Sequence, residues 1–237
     1  NRMLTIFGFG FLVGLRHAFE ADHAAALATL ATKNHSVAQT IKQGIIWGLG
    51  HTITLLIFSS LVFLLETVVP ERLAQGLEFL VGCMLVGLGI DVLRKLIKER
   101  IHFHSHQHSN QPPHFHAHSH KGEKIHSSSS HDHQHSPSFP YRALIVGCMH
   151  GMAGSAALIL LTLQTTLSPL TSLLYVAIFG VGSIAGMALL SLVIAMPLRH
   201  SARTFTRIHS SLQYCIGTIT IILGTVLMYK TGNSLLM

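Results

Sequence analysis

Charge is scarce in this sequence. Only 11% of its 237 residues are Asp, Glu, Lys or Arg, against about 25% in an ordinary soluble domain, and the shortfall points to lipid as the solvent. The 16 Lys and Arg outnumber the 9 Asp and Glu, but they stand between long apolar runs instead of clustering on a polar surface, so no nucleic-acid binder is indicated. Cysteine is scarce too. Cys83, Cys148 and Cys215 each lie inside an apolar run without CxxC or paired spacing, which excludes a disulfide framework and a thiolate zinc site and leaves them as small buried side chains. Neither a P-loop nor an H-E-x-x-H pair occurs, so the chain carries no nucleotide-driven motor and no zinc-hydrolase helix, and no enzyme is expected. Around Met3–Leu15 a basic run is missing before the apolar residues and a small-residue cleavage site after them, so the segment reads as part of a span and not as a signal peptide.

Apolar runs, by contrast, are abundant. A helix needs roughly 20 mostly apolar residues to cross a bilayer, and six stretches qualify: about 3–32, 44–65, 74–95, 142–166, 169–198 and 211–230. The expected fold is therefore an all-α polytopic membrane protein with the lipid bilayer as its first partner. Arg2, Arg72 and Lys230 fall on the side of the termini. Lys33, Lys42, Arg94, Lys95, Lys98, Arg100, Lys121, Lys124, Arg142, Arg199, Arg203 and Arg207 fall on the other. The positive-inside rule then puts both termini outside the cytoplasm and the long central loop within it, across a plasma (inner) membrane.

The two sides of that loop repeat one another. Val13-Gly14-x-x-His17 recurs as Val146-Gly147-x-x-His150, Gly48-x-Gly50 as Gly180-x-Gly182, and Gly82 with Leu88-Gly89 as Gly217 with Leu223-Gly224. Offsets of 133, 132 and 135 match three helices in order to three helices in order. Three is odd, so the halves cross in opposite senses, which is the 3+3 inverted repeat of many transporters with a substrate site near the midplane. The expected organisation is a first repeat over 1–97, a disordered loop over 98–140 and a second repeat over 141–237.

The chemistry concentrates in Arg16-His17-Ala18-Phe19-Glu20-Ala21-Asp22-His23. One charged residue at the centre of a spanning helix costs about 2.5–3.5 kcal/mol on insertion scales, so several within eight positions call for compensation by an ion or by mutual pairing. Imidazoles with carboxylates suit borderline divalent metals. On a straight helix Glu20 shares a face with His17 and His23 while Asp22 points away. Two solutions stand: the helix is unwound at the motif, which is favoured, or Asp22 orients another ligand through a hydrogen bond. His51, beside Gly48 and Gly50, and His150, the repeat mate of His17, complete the candidate ligands. Glu20, Asp22 and His23 correspond to Ala153, Ser155 and Ala156 in the second half, so the site is expected to centre on the first. Cys148 and Met152 lie a turn apart near His150 and read as core filling in preference to copper(I) ligands.

Twelve of the 19 histidines fall between His102 and His135, many alternating as in His102-x-His104-x-His106-x-His108. Neutral imidazoles at cytoplasmic pH can bind metal, and this loop reads as a weak, multivalent metal buffer or sensor.

His17-x4-Asp22-His23, with Arg16 before it, resembles the HX4DH signature of the nickel/cobalt transporter superfamily, and Leu49-Gly50-His51-Thr52 resembles that family's second histidine motif. The resemblance covers most of the chain outside the loop, with six spans here against eight in the longer permeases. It implies nickel or cobalt as transported substrate, with no prosthetic group, and His17, Asp22, His23 and His51 as site residues; Glu20 and His150 join them from the chain's own pattern. Uptake is favoured over efflux of the same ions. A membrane metal sensor or metallochaperone without transport activity is the competing reading, and a homo-oligomer or a cytoplasmic metallochaperone partner is compatible with either.

Overall fold

The computed structural model describes residues 2–34, 36–64, 70–98, 102–106, 114–118, 140–152, 168–204 and 206–236. Among the described residues seven helices carry the fold: α1 (Arg2–His17), α2 (Ala21–Ala31), α3 (Val37–Leu64), α4 (Glu71–Lys98), α5 (Tyr141–Gly151), α6 (Pro169–Thr204) and α7 (Thr206–Leu236). Four of them, α3, α4, α6 and α7, are long and apolar enough to cross a membrane, and α1 with α2 forms a fifth candidate span bent by 56°. With large apolar side chains such as Leu4, Ile57, Leu64 and Leu170 more than 60% exposed, the outer surface is suited to lipid and not to water. The chain is an integral membrane protein. The expected fourth span, 142–166, begins with α5, and its remainder from 153 lies outside the described residues.

Local chemistry sets the helix ends. Ser36 caps α3 through Oγ, which accepts from the Gln39 amide at 3.0 Å. Ser168 precedes Pro169 and accepts from the Thr171 amide at 3.4 Å, so α6 opens with a serine cap and a proline in its first turn, where no amide is needed. Pro70 and Pro140 stand just before α4 and α5. The break between α1 and α2 is narrower. Phe19 and Glu20 donate back to the carbonyls of Arg16 and His17, three residues earlier, which tightens the last turn of α1. Glu20 is then extended, with φ −62° and ψ 150°. Ala24 donates to the Glu20 carbonyl at 2.9 Å, and α2 starts.

Small residues let the helices approach. α4 lies along α7 with Gly82 opposite Gly224 and Gly89 opposite Gly217; a Cβ on Gly89 would meet the Gly217 carbonyl oxygen at 2.6 Å. α1 lies along α6 and α5 along α3. A Cβ on Gly14 would collide with the Phe179 backbone, and one on Gly147 with the Trp47 backbone. Hydrogen bonds tie the same helices in an apolar medium: Ser183 Oγ donates to the Gly14 carbonyl at 3.1 Å, Thr52 Oγ1 to that of Gly180 at 3.3 Å, and Thr220 Oγ1 to that of Ala25 at 3.4 Å. The core so enclosed includes Ala18, Ala26, Leu27, Leu30, Trp47, Leu85, Val146 and Met187.

Two expectations are corrected. The 98–140 segment is not without regular structure, since β1 (His102–His106) and β2 (His114–His118) pair antiparallel with His104 opposite His116. Its His-x-His alternation has the period of two that a strand requires, and this hairpin is the departure from an all-helical fold among the described residues. The other correction concerns the cysteines, which are not all buried: Cys83 and Cys148 are half-buried and Cys215 is exposed, on helices whose outer faces are apolar.

Candidate metal centre

The break after α1 delivers the signature residues from two directions. His17 ends α1, whereas Asp22 and His23 sit in the first turn of α2. α3 brings His51 and α5 brings His150. All four imidazoles are buried, at 4%, 2%, 1% and 3% exposure for His17, His23, His51 and His150, in the interior of a lipid-facing bundle. Ring centroids lie 4.6 Å apart for His17 and His23, 5.3 Å for His17 and His51, 5.4 Å for His23 and His51, and 4.5 Å for His23 and His150.

Carboxylates hold three of these rings. Glu20 Oε1 lies 2.9 Å from His17 Nδ1. Asp22 Oδ1 accepts from the His23 amide at 2.9 Å and faces His23 Nδ1 at 3.1 Å, while Oδ2 of the same carboxylate meets His150 Nε2 at 3.2 Å. A carboxylate on one ring nitrogen fixes the ring and leaves the other nitrogen to bind metal. The nitrogens so left, His17 Nε2 and His23 Nε2, are buried without a partner among the described residues, as are both nitrogens of His51 and Nδ1 of His150. Each unsatisfied buried polar atom costs roughly 1–3 kcal/mol, so an ion that engaged several of them would recover much of that cost.

Among the described residues two groups have ligand atoms within 4.8 Å of one another, His17 with His23 and His51, and Asp22 with His23 and His150. Five of the six residues singled out from sequence are thus brought together. Glu20 belongs to neither group; it is 48% exposed and supports His17 from outside. The two solutions weighed for Asp22 are both realised, since the helix is broken and Asp22 also orients His23.

Two aromatic residues complete the walls, and sequence reading missed them. Trp47 stacks on His23 with centroids 5.5 Å apart and meets His150 edge-on at 5.5 Å. Phe179 lies 5.3 Å from His17. Their offset of 132 equals that of Gly48-x-Gly50 and Gly180-x-Gly182, and that equality was the available signal.

Among known proteins, the chain is 35% identical over 231 residues to the urease accessory protein UreH of Bacillus sp. (strain TB-90), an alignment covering 97% of this chain and 93% of that protein. The chain belongs to the UreH family. No family model matches it, and no solved structure does. Within a UreH-family chain, the buried imidazoles and their carboxylates stand in a helical membrane bundle whose length nearly equals that of its relative.

Proposed function

We propose that this UreH-family protein carries a divalent transition-metal ion across the membrane, nickel first and cobalt second, through a site built from His17, Asp22, His23, His51 and His150 with Glu20 behind His17. The observation that carries the reading is the set of buried imidazole nitrogens without partners among apolar helices. Three imidazoles, or two with a carboxylate, are ligands that suit nickel, cobalt and zinc. Nickel comes first because the HX4DH resemblance implies it and because the relative is an accessory protein of urease, a nickel enzyme.

The proposal includes two inverted halves, 1–97 and 141–237, around the loop segment 98–140. Mate contacts support this. Gly14 against Phe179 and Gly147 against Trp47 are one contact repeated at offsets of 133 and 132; Gly82 against Gly224 and Gly217 against Gly89 repeat at 135. The basic-residue asymmetry supports a cytoplasmic loop with external termini, and uptake is proposed ahead of efflux of the same ions.

The test is nickel flux into liposomes holding the purified protein and a trapped metal-sensitive dye. Flux is expected from the parent chain and is expected to vanish in His17→Ala, Asp22→Ala and His23→Ala. Folded His17→Ala and His23→Ala variants that transport at the parent rate would refute the site. A parent that binds nickel but moves none would establish the sensor reading instead.

A further inference from the structure

Four buried imidazoles exceed what one three-ligand group uses, and the geometry divides them. His17, His23 and His51 form one group; His23 and His150 form the other with Asp22. His23 is the member they share. The two nitrogens of its ring stand differently: Nε2 is buried without a partner among the described residues, while Nδ1 faces Asp22 Oδ1 at 3.1 Å. The second group also joins the halves, because Asp22 comes from α2 and His150 from α5.

We propose a second metal position at Asp22, His23 and His150, which takes the same divalent transition-metal ion in alternation with the position at His17, His23 and His51, so that the ion is handed across the His23 ring. This inference rests on the reading above that the cluster carries metal.

A neutral imidazole has one lone pair and one N–H, so His23 serves one position at a time, its ring proton passing to the nitrogen that the ion leaves, and a single ion occupies the pair. Replacing an imidazole by a carboxylate oxygen makes a harder, less nickel-selective set, and conduction requires a position from which the ion can leave as well as one it enters. Finally, Asp22 is 32% exposed where His17 and His51 are 4% and 1%, so the second position is the one nearer an exit from the bundle.

Cobalt(II) is the probe, because its visible d–d absorption reports its ligands. The protein is the full-length chain with the loop histidines from His102 to His135 replaced by glutamine, so that the core alone is titrated. The unaltered core is expected to saturate at one cobalt per chain. His51→Ala is expected still to bind one, with a changed spectrum, and His17→Ala, which also removes a ligand of the first position only, gives the same result if His51→Ala fails to fold. Asp22→Asn keeps an oxygen that can accept from His23 Nδ1–H but is a poorer ligand; alone it is expected to retain the parent spectrum while nickel flux falls by at least about tenfold, the lower end of the usual effect of altering a ligand's surroundings. His51→Ala combined with Asp22→Asn is expected to bind none. Absence of cobalt from folded His51→Ala and His17→Ala, retention of the His51→Ala spectrum in the combined variant, or saturation of the unaltered core at two cobalt ions would each overturn the proposal. If the unaltered core bound no cobalt and moved no nickel, the transport reading itself would fall, and that result is distinct from the other three.

Discussion

His17 and His23 each turn Nδ1 toward a carboxylate, at 2.9 Å and 3.1 Å, and rings held in that way present Nε2 inward. His51 has no such support among the described residues, so its ring is placed by packing alone. Aromatic walls therefore carry part of the ordering. Trp47, fully buried and the one tryptophan of the chain, stacks on His23 and meets His150 edge-on. Trp47→Ala is expected to destabilise the protein by about 3–5 kcal/mol, the usual cost of deleting a buried aromatic, and to lower nickel flux more than Trp47→Phe, which keeps a ring against both histidines. Thermal unfolding and flux measured together check it, and equal flux in the two variants would remove Trp47 from the site. At this scale the clustered residues were legible as candidates because each is an ionisable or imidazole group inside an apolar run, where its cost calls for a role. Trp47 and Phe179 were not, since an aromatic residue in such a run needs no explanation.

The break at 18–20 is the element on which the site depends. Intact, the helix would put Glu20 between His17 and His23 and turn Asp22 away; broken, it frees α2 to bring Asp22 and His23 against His150. Sequence reading placed the unwinding at the motif as a whole; the turn itself falls at Ala18–Glu20, and Gly14 before it serves the contact with α6. Packing fixes the partners of these pieces through backbone-to-backbone approaches that leave no space for a methyl group. Gly147→Ala, which would drive a methyl into the Trp47 backbone, is expected to cost about 1–3 kcal/mol as an overpacked position and to weaken metal binding by shifting His150. Asp91→Asn offers a contrast. Asp91, near the end of α4, takes Lys33, just beyond α2, and Arg142 in α5, and so joins those elements. It is 42% exposed, and ion pairs of that kind contribute at most about 1 kcal/mol. Thermal unfolding is expected to rank Gly147→Ala well below Asp91→Asn, and the reverse order would mean that charge, not close packing, sets how α5 docks.

Over the whole molecule, positions that match at near-constant offset in sequence also make matching contacts, Gly14 with Phe179 and Gly147 with Trp47. His51 corresponds at the same offset to Ser183, whose Oγ bonds the Gly14 carbonyl instead of facing the histidines, so among the described residues beyond the loop His150 is the one that joins the cluster. The loop hairpin was not legible, because a polar histidine-rich run buries no apolar face from which pairing could be read. These features separate the bundle from the loop in an experiment. Deleting residues 102–135 is expected to leave nickel flux measurable, because the ligand groups stand on α1, α2, α3 and α5. A ligand that binds only the folded protein stabilises it by mass action, about 2.7 kcal/mol at a hundred times its Kd. Nickel is therefore expected to raise the Tm of the loop-deleted protein. The same addition is expected to have a much smaller effect on the loop-deleted His17→Ala variant, which keeps the Asp22, His23 and His150 group but loses the all-imidazole one. Equal protection of the two proteins would place the preferred ion away from His17, and loss of all flux on loop deletion, with the bundle folded, would bring the loop into the pathway.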